Sequence, residues 1–231
     1  MIRKIGILCA IYEEIKPYTE NMTDKITDSY LSLDFISGEL NGCQIVAVEC
    51  GTGKTNAAFA SSLLISRYGV DVLVISGVGG SIDKSLAVFD TVISESVAHH
   101  DVAAEFQTEY RPWLQDVWMS ADTGLLAAVK LGISGKSYET RIFFGRIVSG
   151  EAFIADEGRA EIIKNFAPLC VDMETASVAQ IAYMTKTPYI AVRTISDTED
   201  GDGIDTFKMN CGIAAEKSFS IVCSMLKNLK D

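Results

Sequence analysis

The sequence predicts a single α/β domain built on a mostly parallel or mixed sheet. Apolar, strand-like runs alternate with helical stretches along the 231 residues, and this alternation is typical of a sheet with helices packed on its faces. Hydrophobic residues make up 48% of the chain and charged residues 22%, which is enough apolar material for one packed core. Because no linker, repeat or low-complexity tract interrupts the pattern, we expect one domain over residues 1–231.

The first half of the chain begins with a buried strand and contains a hairpin. Ile5–Ala10 is continuously apolar, as expected of a strand covered on both faces. Asn41-Gly42 between two strand-like runs is a strong hairpin signal. The predicted elements of this half are a strand at 5–10, a helix at 13–21, strands at 31–37 and 44–49, a helix at 55–68, and a strand at 70–76 that ends in Gly77-Val78-Gly79-Gly80.

The second half continues the alternation and ends in a long helix. From Phe207 onward, apolar residues recur at helical spacing. Residues 99–117 have weak periodicity, so we expect a long loop near a site or an interface. The other predicted elements are strands at 89–97, 141–149, 169–172 and 188–196, and helices at 123–131, 157–166 and 175–184.

Charge and cysteine usage limit the classes of partner. A formal net charge of −11 and a pI near 4.7 argue against nucleic acid or an anionic membrane as a partner. The six cysteines are far apart and form no Cys-x-x-Cys pair, so we expect reduced thiols and a cytoplasmic protein. The chain starts directly with a strand and has no apolar run of 18 residues, so we expect neither a signal peptide nor a membrane span.

Three familiar site motifs fail on inspection. Gly51–Thr55 resembles the end of a phosphate-binding P-loop, but Val48 occupies the position of its first glycine. Gly77–Gly80 resembles a dinucleotide fingerprint, but Ile82 stands where the third glycine is required. His99-His100-Asp101 lacks the further ligands of a metal site, and a polar loop start is the better interpretation. We therefore expect neither a nucleoside triphosphate nor a dinucleotide nor a metal at these motifs.

Three acidic residues stand at or just beyond the ends of strand-like runs. Glu14 follows the first strand, Glu174 follows the short strand at 169–172, and Asp197 ends the strand at 188–196. Open α/β sheets bind their ligands at this edge. Cleaving a bond to a sugar anomeric carbon needs an acid for the leaving group and a base or carboxylate on the other side. Three carboxyls in different surroundings could divide these tasks.

Each of these residues also has an ordinary structural interpretation. Alone, Glu14 is a solvated helix residue and Glu174 a carboxylate at a helix N-terminus. Asp197 alone is an N-cap or turn residue, and Phe153 alone is a core residue. Arg193 alone is a structural ion-pair partner, and its role stays open.

Taken in order, the motifs resemble one enzyme family over nearly the whole chain. They are Ile5-Gly6-Ile7 with Glu13-Glu14, Ser149–Ile154, Asp172–Ala176 and Arg193–Asp197. Together they are similar to the bacterial 5′-methylthioadenosine/S-adenosylhomocysteine nucleosidases of the purine nucleoside phosphorylase/uridine phosphorylase superfamily. The resemblance implies a three-layer α/β fold with a mixed central sheet flanked by helices, a homodimer, and hydrolysis of an adenine–ribose bond without metal or cofactor.

The resemblance also assigns roles to eight residues. Glu14 corresponds to the residue that activates water, and Asp197 with Ser196 to the residues at the N7 side of the purine. The residues that hold the rest of the substrate are Phe153 stacked on adenine, Ile154 contacting the base, Met173 and Glu174 at the ribose, and Phe207 in the wall of the 5′-alkylthio pocket.

These residue types suit the chemistry. Adenine leaves poorly as an anion, so N7 must gain a proton, which a carboxyl kept partly protonated by its surroundings can supply. A carboxylate at the ribose hydroxyls stabilises the positive charge that develops on the sugar. Water is a weak nucleophile and needs a base on the other face of the sugar.

Two other functions stay open at this stage. A phosphorylase would bring phosphate to the face where water attacks, but Glu13 and Glu14 place two carboxylates and no arginine there, so hydrolysis is favoured. A non-catalytic nucleoside-binding protein on the same fold would be free to lose its acid or base, and this chain keeps all three carboxyls.

The chain departs from the family pattern at several positions. Val78 replaces a serine, Asp172 a glutamate and Thr52 an apolar residue, and residues 100–104 also differ. These changes leave the 5′ substituent open among methylthioadenosine, adenosylhomocysteine, 5′-deoxyadenosine and aminodeoxyfutalosine. In the family, the region around Tyr110, Pro112 and Trp113 lies at a dimer interface, so we expect this loop to help close the neighbouring subunit's site.

Overall fold

The computed structural model describes residues 4–111, 114–154, 158–198 and 203–229. Ten strands and seven helices alternate in this part of the chain. The strands are β1 Lys4–Cys9, β2 Thr23–Tyr30, β3 Leu33–Leu40, β4 Cys43–Glu49, β5 Val72–Ser81, β6 Thr91–His99, β7 Met119–Ser120, β8 Ile142–Ser149, β9 Cys170–Asp172 and β10 Tyr189–Asp197. The helices are α1 Tyr12–Asn21, α2 Lys54–Ser66, α3 Ala104–Glu109, α4 Thr123–Ile133, α5 Arg159–Phe166, α6 Thr175–Thr185 and α7 Gly203–Leu226.

The strands form one mixed sheet in the order β10-β6-β8-β9-β5-β1-β4-β3-β2, with β7 paired to β6. Strand β10 also pairs in parallel with β5, so β5, β9, β8, β6 and β10 close into a ring. Both parallel pairs, such as β1 with β4, and antiparallel pairs, such as β3 with β4, are present. The predicted α/β fold with a mixed sheet is confirmed.

Helices cover both faces of the sheet and give the three-layer arrangement. Helices α1, α4 and α7 pack together on one side, with α7 lying across β10 and β5, whereas α2 and α6 pack against each other on the other side. Strands β1, β5 and β10 supply much of the buried apolar core because they are covered on both faces. In the described residues, no helix is long and apolar enough to cross a membrane.

The Asn41-Gly42 hairpin forms as predicted between β3 and β4, with Leu40 paired to Cys43. Asn41 has a φ of 53° and Gly42 a φ of 74°, the left-handed pair that a tight two-residue hairpin requires.

Four features differ from the sequence prediction. Strand β7 was not predicted, because its two residues are too few to form a pattern. Strand β2 was not predicted, because it is an exposed edge strand with polar residues and lacks an alternating pattern. The expected loop at 99–117 contains helix α3, while Pro112 and Trp113 of that loop lie outside the described residues. Strand β5 does not stop at Ser76 but runs through the glycines to Ser81. The glycine-rich part of β5 pairs closely with β10.

Candidate active site

One cavity of about 270 Å³ lies where β1, β5, β9 and β10 end. The structure brings all eight residues that the sequence predicted onto its wall. They are Glu14, Phe153, Ile154, Met173, Glu174, Ser196, Asp197 and Phe207. Their meeting point fits the rule that α/β sheets bind ligands beyond the carboxyl ends of their strands.

Glu14 is held at the beginning of α1 with its side chain turned back into the protein. Only 2% of the residue is exposed. Its carboxylate accepts hydrogen bonds from the N–H groups of Ala10 at 2.6 Å and Val78 at 2.8 Å. Burial raises the pKa of Glu14, although Arg193 and the backbone N–H groups oppose this rise. A buried carboxyl with a raised pKa is suited to accept a proton from water.

Glu13, in contrast, is exposed and does not line the cavity. The sequence argument that two carboxylates occupy this face is therefore wrong, since only Glu14 does so. The interpretation of Glu14 as a solvated helix residue is also wrong. Because Glu14 has several buried partners, its replacement should also lower the stability of the fold.

Arg193 is the centre of a buried cluster of charges behind the cavity. The guanidinium lies 3.5 Å from Glu14 (Nη1 to Oε1), 3.2 Å from Glu174 (Nη2 to Oε2) and 2.7 Å from Asp172 (Nε to Oδ2). Burial opposes its charge, but the three carboxyls together raise its pKa. The expectation that no arginine lies near Glu14 is wrong. The open question about Arg193 is answered in part: it joins two of the three predicted acids, Glu14 and Glu174, to Asp172.

Glu174 is positioned by the beginning of α6, where it is the N-cap residue. The N–H of Gly53 donates to its Oε1 at 2.9 Å. Burial raises the pKa of Glu174 to about 7, against the opposing effect of Arg193. The carboxyl therefore changes its charge in the physiological range, unlike an exposed glutamate.

Asp172 connects the same cluster to the fold. It accepts hydrogen bonds from the hydroxyls of Ser149 and Thr175 and from the N–H of Thr175 at 3.2 Å. Although aspartate is shorter than the family's glutamate, both carboxylate oxygens of Asp172 thus have hydrogen-bond partners, and one of them also pairs with Arg193.

Asp197 lies at the end of β10 and lines the same cavity as Glu14 and Glu174. The Ser196 hydroxyl lies 2.7 Å from Asp197 Oδ1 and 3.3 Å from the carbonyl oxygen of Gly79. Burial raises the pKa of Asp197, while the Ser196 bond and the charge of Arg159 act in the other direction. A carboxyl with this shift holds its proton to higher pH than an exposed aspartate, as a general acid requires.

Apolar residues form the rest of the wall. The rings of Phe153 and Phe207 meet edge to face, with centroids 6.4 Å apart and planes at 77°. Phe153 is 41% exposed, so it is not the core residue of the alternative interpretation. Both rings offer flat apolar surface to a purine or an alkyl group.

The departures from the family pattern lie on this wall or beside it. Val78 is buried among Ala214, Ala215 and the two rings of Phe89 and Phe207, while its N–H binds Glu14. Thr52 lines the cavity. No hydroxyl from position 78 is therefore present beside Glu14.

Sequence reasoning missed Ile204 and Lys208, which also line the cavity. The signal was the phase of α7, because residues three or four apart share a helix face and Ile204 stands three residues before Phe207. Arg193 had no comparable signal, because the register shift between Ile195 and Asp197 interrupts the strand alternation that would relate it to Asp197.

The histidine pair belongs to a different environment. His99 Nε2 lies 3.0 Å from the Gln180 amide oxygen, and burial lowers the pKa of His99 to about 4. Within the described ranges, no three His, Cys, Asp or Glu residues are grouped closely enough to hold a metal ion.

Comparison with known proteins gives one consistent result. The family model for the phosphorylase superfamily matches residues 4–227. A 5′-methylthioadenosine/S-adenosylhomocysteine nucleosidase from Staphylococcus haemolyticus is 34% identical over 97% of this chain and 100% of its own length.

Solved structures agree over the whole chain. The nucleosidase of the same description from Colwellia psychrerythraea, in complex with adenine, is 32% identical with a TM-score of 0.91, covering 99% of this chain and 96% of the other. The futalosine hydrolase of Helicobacter pylori is 26% identical with a TM-score of 0.89, covering 99% of both chains.

Proposed function

We propose a function on the premise that this chain belongs to the 5′-methylthioadenosine/S-adenosylhomocysteine nucleosidase family of the phosphorylase superfamily. The chain hydrolyses the N-glycosidic bond of a 5′-modified adenosine and releases adenine. The observation that carries this proposal is the single cavity that combines buried Glu14 and Glu174, joined by Arg193, with the Ser196–Asp197 pair.

The residues divide the reaction between the two sides of the bond. Asp197 donates a proton to N7 of the departing adenine, and Ser196 orients its carboxyl. Glu14 removes a proton from the attacking water, and Glu174 holds the ribose hydroxyls and stabilises the developing positive charge. Phe153 and Ile154 bind the base, Met173 the ribose and Phe207 the 5′ group.

Each proton that moves in this step has a donor and an acceptor. Water loses its proton to Glu14 and its oxygen forms the new bond to the anomeric carbon. The electrons of the broken bond leave with adenine, which receives its proton at N7 from Asp197. Glu14 ends protonated and Asp197 ionised, so one proton must return from Glu14 to Asp197 through solvent before the next turnover.

Hydrolysis is favoured over phosphorolysis on revised grounds. A phosphate dianion needs unengaged donors, but the Arg193 guanidinium already faces three carboxyls. Two backbone N–H groups beside the cavity, those of Ala10 and Val78, are bound by Glu14. Because these donors are already engaged, the side of the sugar opposite the base is better suited to water, a neutral nucleophile, than to phosphate.

We also propose that this chain forms a homodimer, as the family resemblance implies. Large apolar side chains are exposed on α2, α3 and α6, namely Phe59, Phe106, Tyr183 and Met184, with Tyr110 just after α3. Arg111 and His99 both contact Gln180 of α6, so these elements adjoin. We assign this surface to a homodimer interface.

Residues 1–231 form one nucleosidase domain in a cytoplasmic protein. The family match over residues 4–227 supports the domain. Four buried free thiols, Cys9, Cys50, Cys170 and Cys211, support a reducing compartment.

A substrate panel tests the proposal. Adenine release is measured from methylthioadenosine, adenosylhomocysteine, 5′-deoxyadenosine and aminodeoxyfutalosine, and binding of each is measured in parallel. We expect adenine from at least one of them. Binding without adenine release from any compound would contradict the enzyme and support the nucleoside-binding alternative.

A further inference from the structure

A cationic side chain, Lys208, lies on the cavity wall, among charged residues that are otherwise acidic. It lies beside Phe207 and one helical turn after Ile204. Every other charged residue on the described part of the wall is acidic: Glu14, Asp172, Glu174 and Asp197. The reaction proposed above does not use Lys208.

The ammonium group of Lys208 is only weakly engaged. Its side chain is 68% exposed, and its ion pair with Asp205 is 3.9 Å long, with Asp205 itself 76% exposed. Exposed pairs of this length contribute little. The long flexible stem also lets the ammonium move to another anion.

Lys208 and the acids lie at different depths. Glu14 and Glu174 are buried at 2% and 4% exposure, whereas Lys208 projects from the exposed face of α7. A nucleoside with its glycosidic bond at the buried acids would therefore direct its far end toward α7. Phe207, the neighbour of Lys208, belongs to the wall assigned to the 5′ group.

We propose that Lys208 is a specificity-determining residue that favours 5′ substituents ending in a carboxylate. The inference rests on the proposed function, because it takes the buried acids as the place of bond cleavage. In a chain of net charge −11, an anionic substituent meets general repulsion. A single cation at the outer wall offsets that repulsion locally and leaves the acids undisturbed.

A matched pair of probes isolates the charge. One is 5′-thioadenosine carrying an S-carboxypropyl chain, and the other is its primary amide, which has the same length and no charge. The measured quantity is the ratio of kcat/KM for the acid to kcat/KM for the amide, read by adenine release. This ratio is determined for the wild type, Lys208→Met, Lys208→Arg and Lys217→Met.

The variants distinguish a local effect of Lys208 on the substrate's carboxylate from an effect of the protein's net charge. Lys208→Met should lower the acid-to-amide ratio about two- to fivefold, the range expected of an exposed charge pair. Lys208→Arg should keep the ratio, and added salt should lower it in the wild type. Lys217 is the matched control, because it also lies on α7 but pairs with Glu139 at 3.2 Å and does not line this cavity.

The outcomes are distinct. A ratio that Lys208→Met leaves unchanged, or that Lys217→Met lowers equally, would overturn the inference while adenine release still upholds the proposed function. If neither probe nor any of the four nucleosides of the substrate panel yields adenine from the wild type, the proposed function fails and the inference fails with it.

Discussion

Buried carboxyls decide the chemistry at the scale of single residues. Desolvation is the largest influence on Glu14, Glu174 and Asp197, and it raises the pKa of each despite neighbouring donors. Asp197 differs from the other two because it faces Ser196 and not Arg193. The arrangement thus gives the base and the acid different partners, as acid–base catalysis on two sides of one bond requires.

Replacing Asp197 with asparagine tests the acid. The amide keeps the size and the bond to Ser196 but has no acidic proton for N7. We expect kcat to fall by about 10²–10⁴, the usual contribution of a general acid, with binding of a nucleoside analogue largely kept. Near wild-type adenine release by Asp197→Asn, with the fold confirmed by circular dichroism, would show that Asp197 is not the acid.

The pKa of Glu174 makes a prediction about stability. An unfolded glutamate titrates near about 4.3, and the folded one at about 7, so the folded state holds the proton more tightly. The contribution of Glu174 to the free energy of unfolding is thus fully present below the unfolded pKa and is lost as pH rises to about 7.

Urea unfolding of the wild type and Glu174→Gln measures this contribution. The difference, wild type minus variant, should fall by about 1–3 kcal/mol between about pH 5 and about pH 8. Because glutamine does not titrate, the other carboxyls largely cancel in the difference. A flat or rising difference would mean that Glu174 has no raised pKa.

At the scale of elements, strand β5 brings its backbone against the charged cluster. A Cβ added at Gly77 would lie 2.0 Å from Glu14 Oε1 and 2.7 Å from Arg193 Nη1. Only glycine leaves room for these two side chains at this point. This close approach explains why a glycine stands inside β5 here, where the sequence analysis placed the end of the strand.

Gly77→Ala should therefore displace Glu14 and Arg193 and abolish most of the activity. We expect a loss of stability of about 1–3 kcal/mol, as for a substitution that overpacks a core. Gly212→Ala is the control, because a Cβ there meets nothing within 4 Å and an alanine inside a helix is favoured. Activity of Gly77→Ala equal to that of Gly212→Ala would contradict the tight contact.

The elements also show what a sequence can and cannot predict. Buried strands such as β1 and β10 were predicted because short, continuous apolar runs are typical of strands that are covered on both faces. The edge strand β2 was missed because its burial, and hence its pattern, depends on a partner on one side only. Residues on the cavity wall were predicted where a strand ends in an acid. The Arg193 cluster was not, since it joins residues up to 179 positions apart.

At the scale of the whole molecule, the exposed apolar surface of α2, α3 and α6 predicts a homodimer. Phe106 is 63% exposed there, so Phe106→Glu would place a charge in the interface and should shift the protein toward monomer in sedimentation velocity. Leu131→Glu is the control, because Leu131 is 64% exposed on α4, outside this surface. A fully active wild-type monomer at working concentration would contradict the interface.

In the proposed reaction, water and not phosphate attacks the sugar. The most direct measurement is adenine release from a substrate nucleoside with and without inorganic phosphate, with identification of the sugar product. We expect the same rate in both conditions and a free reducing sugar as the product, because Glu14 occupies the nucleophile's side of the cavity and Arg193 is paired with carboxyls. Turnover that depends on phosphate and yields the sugar 1-phosphate would contradict it.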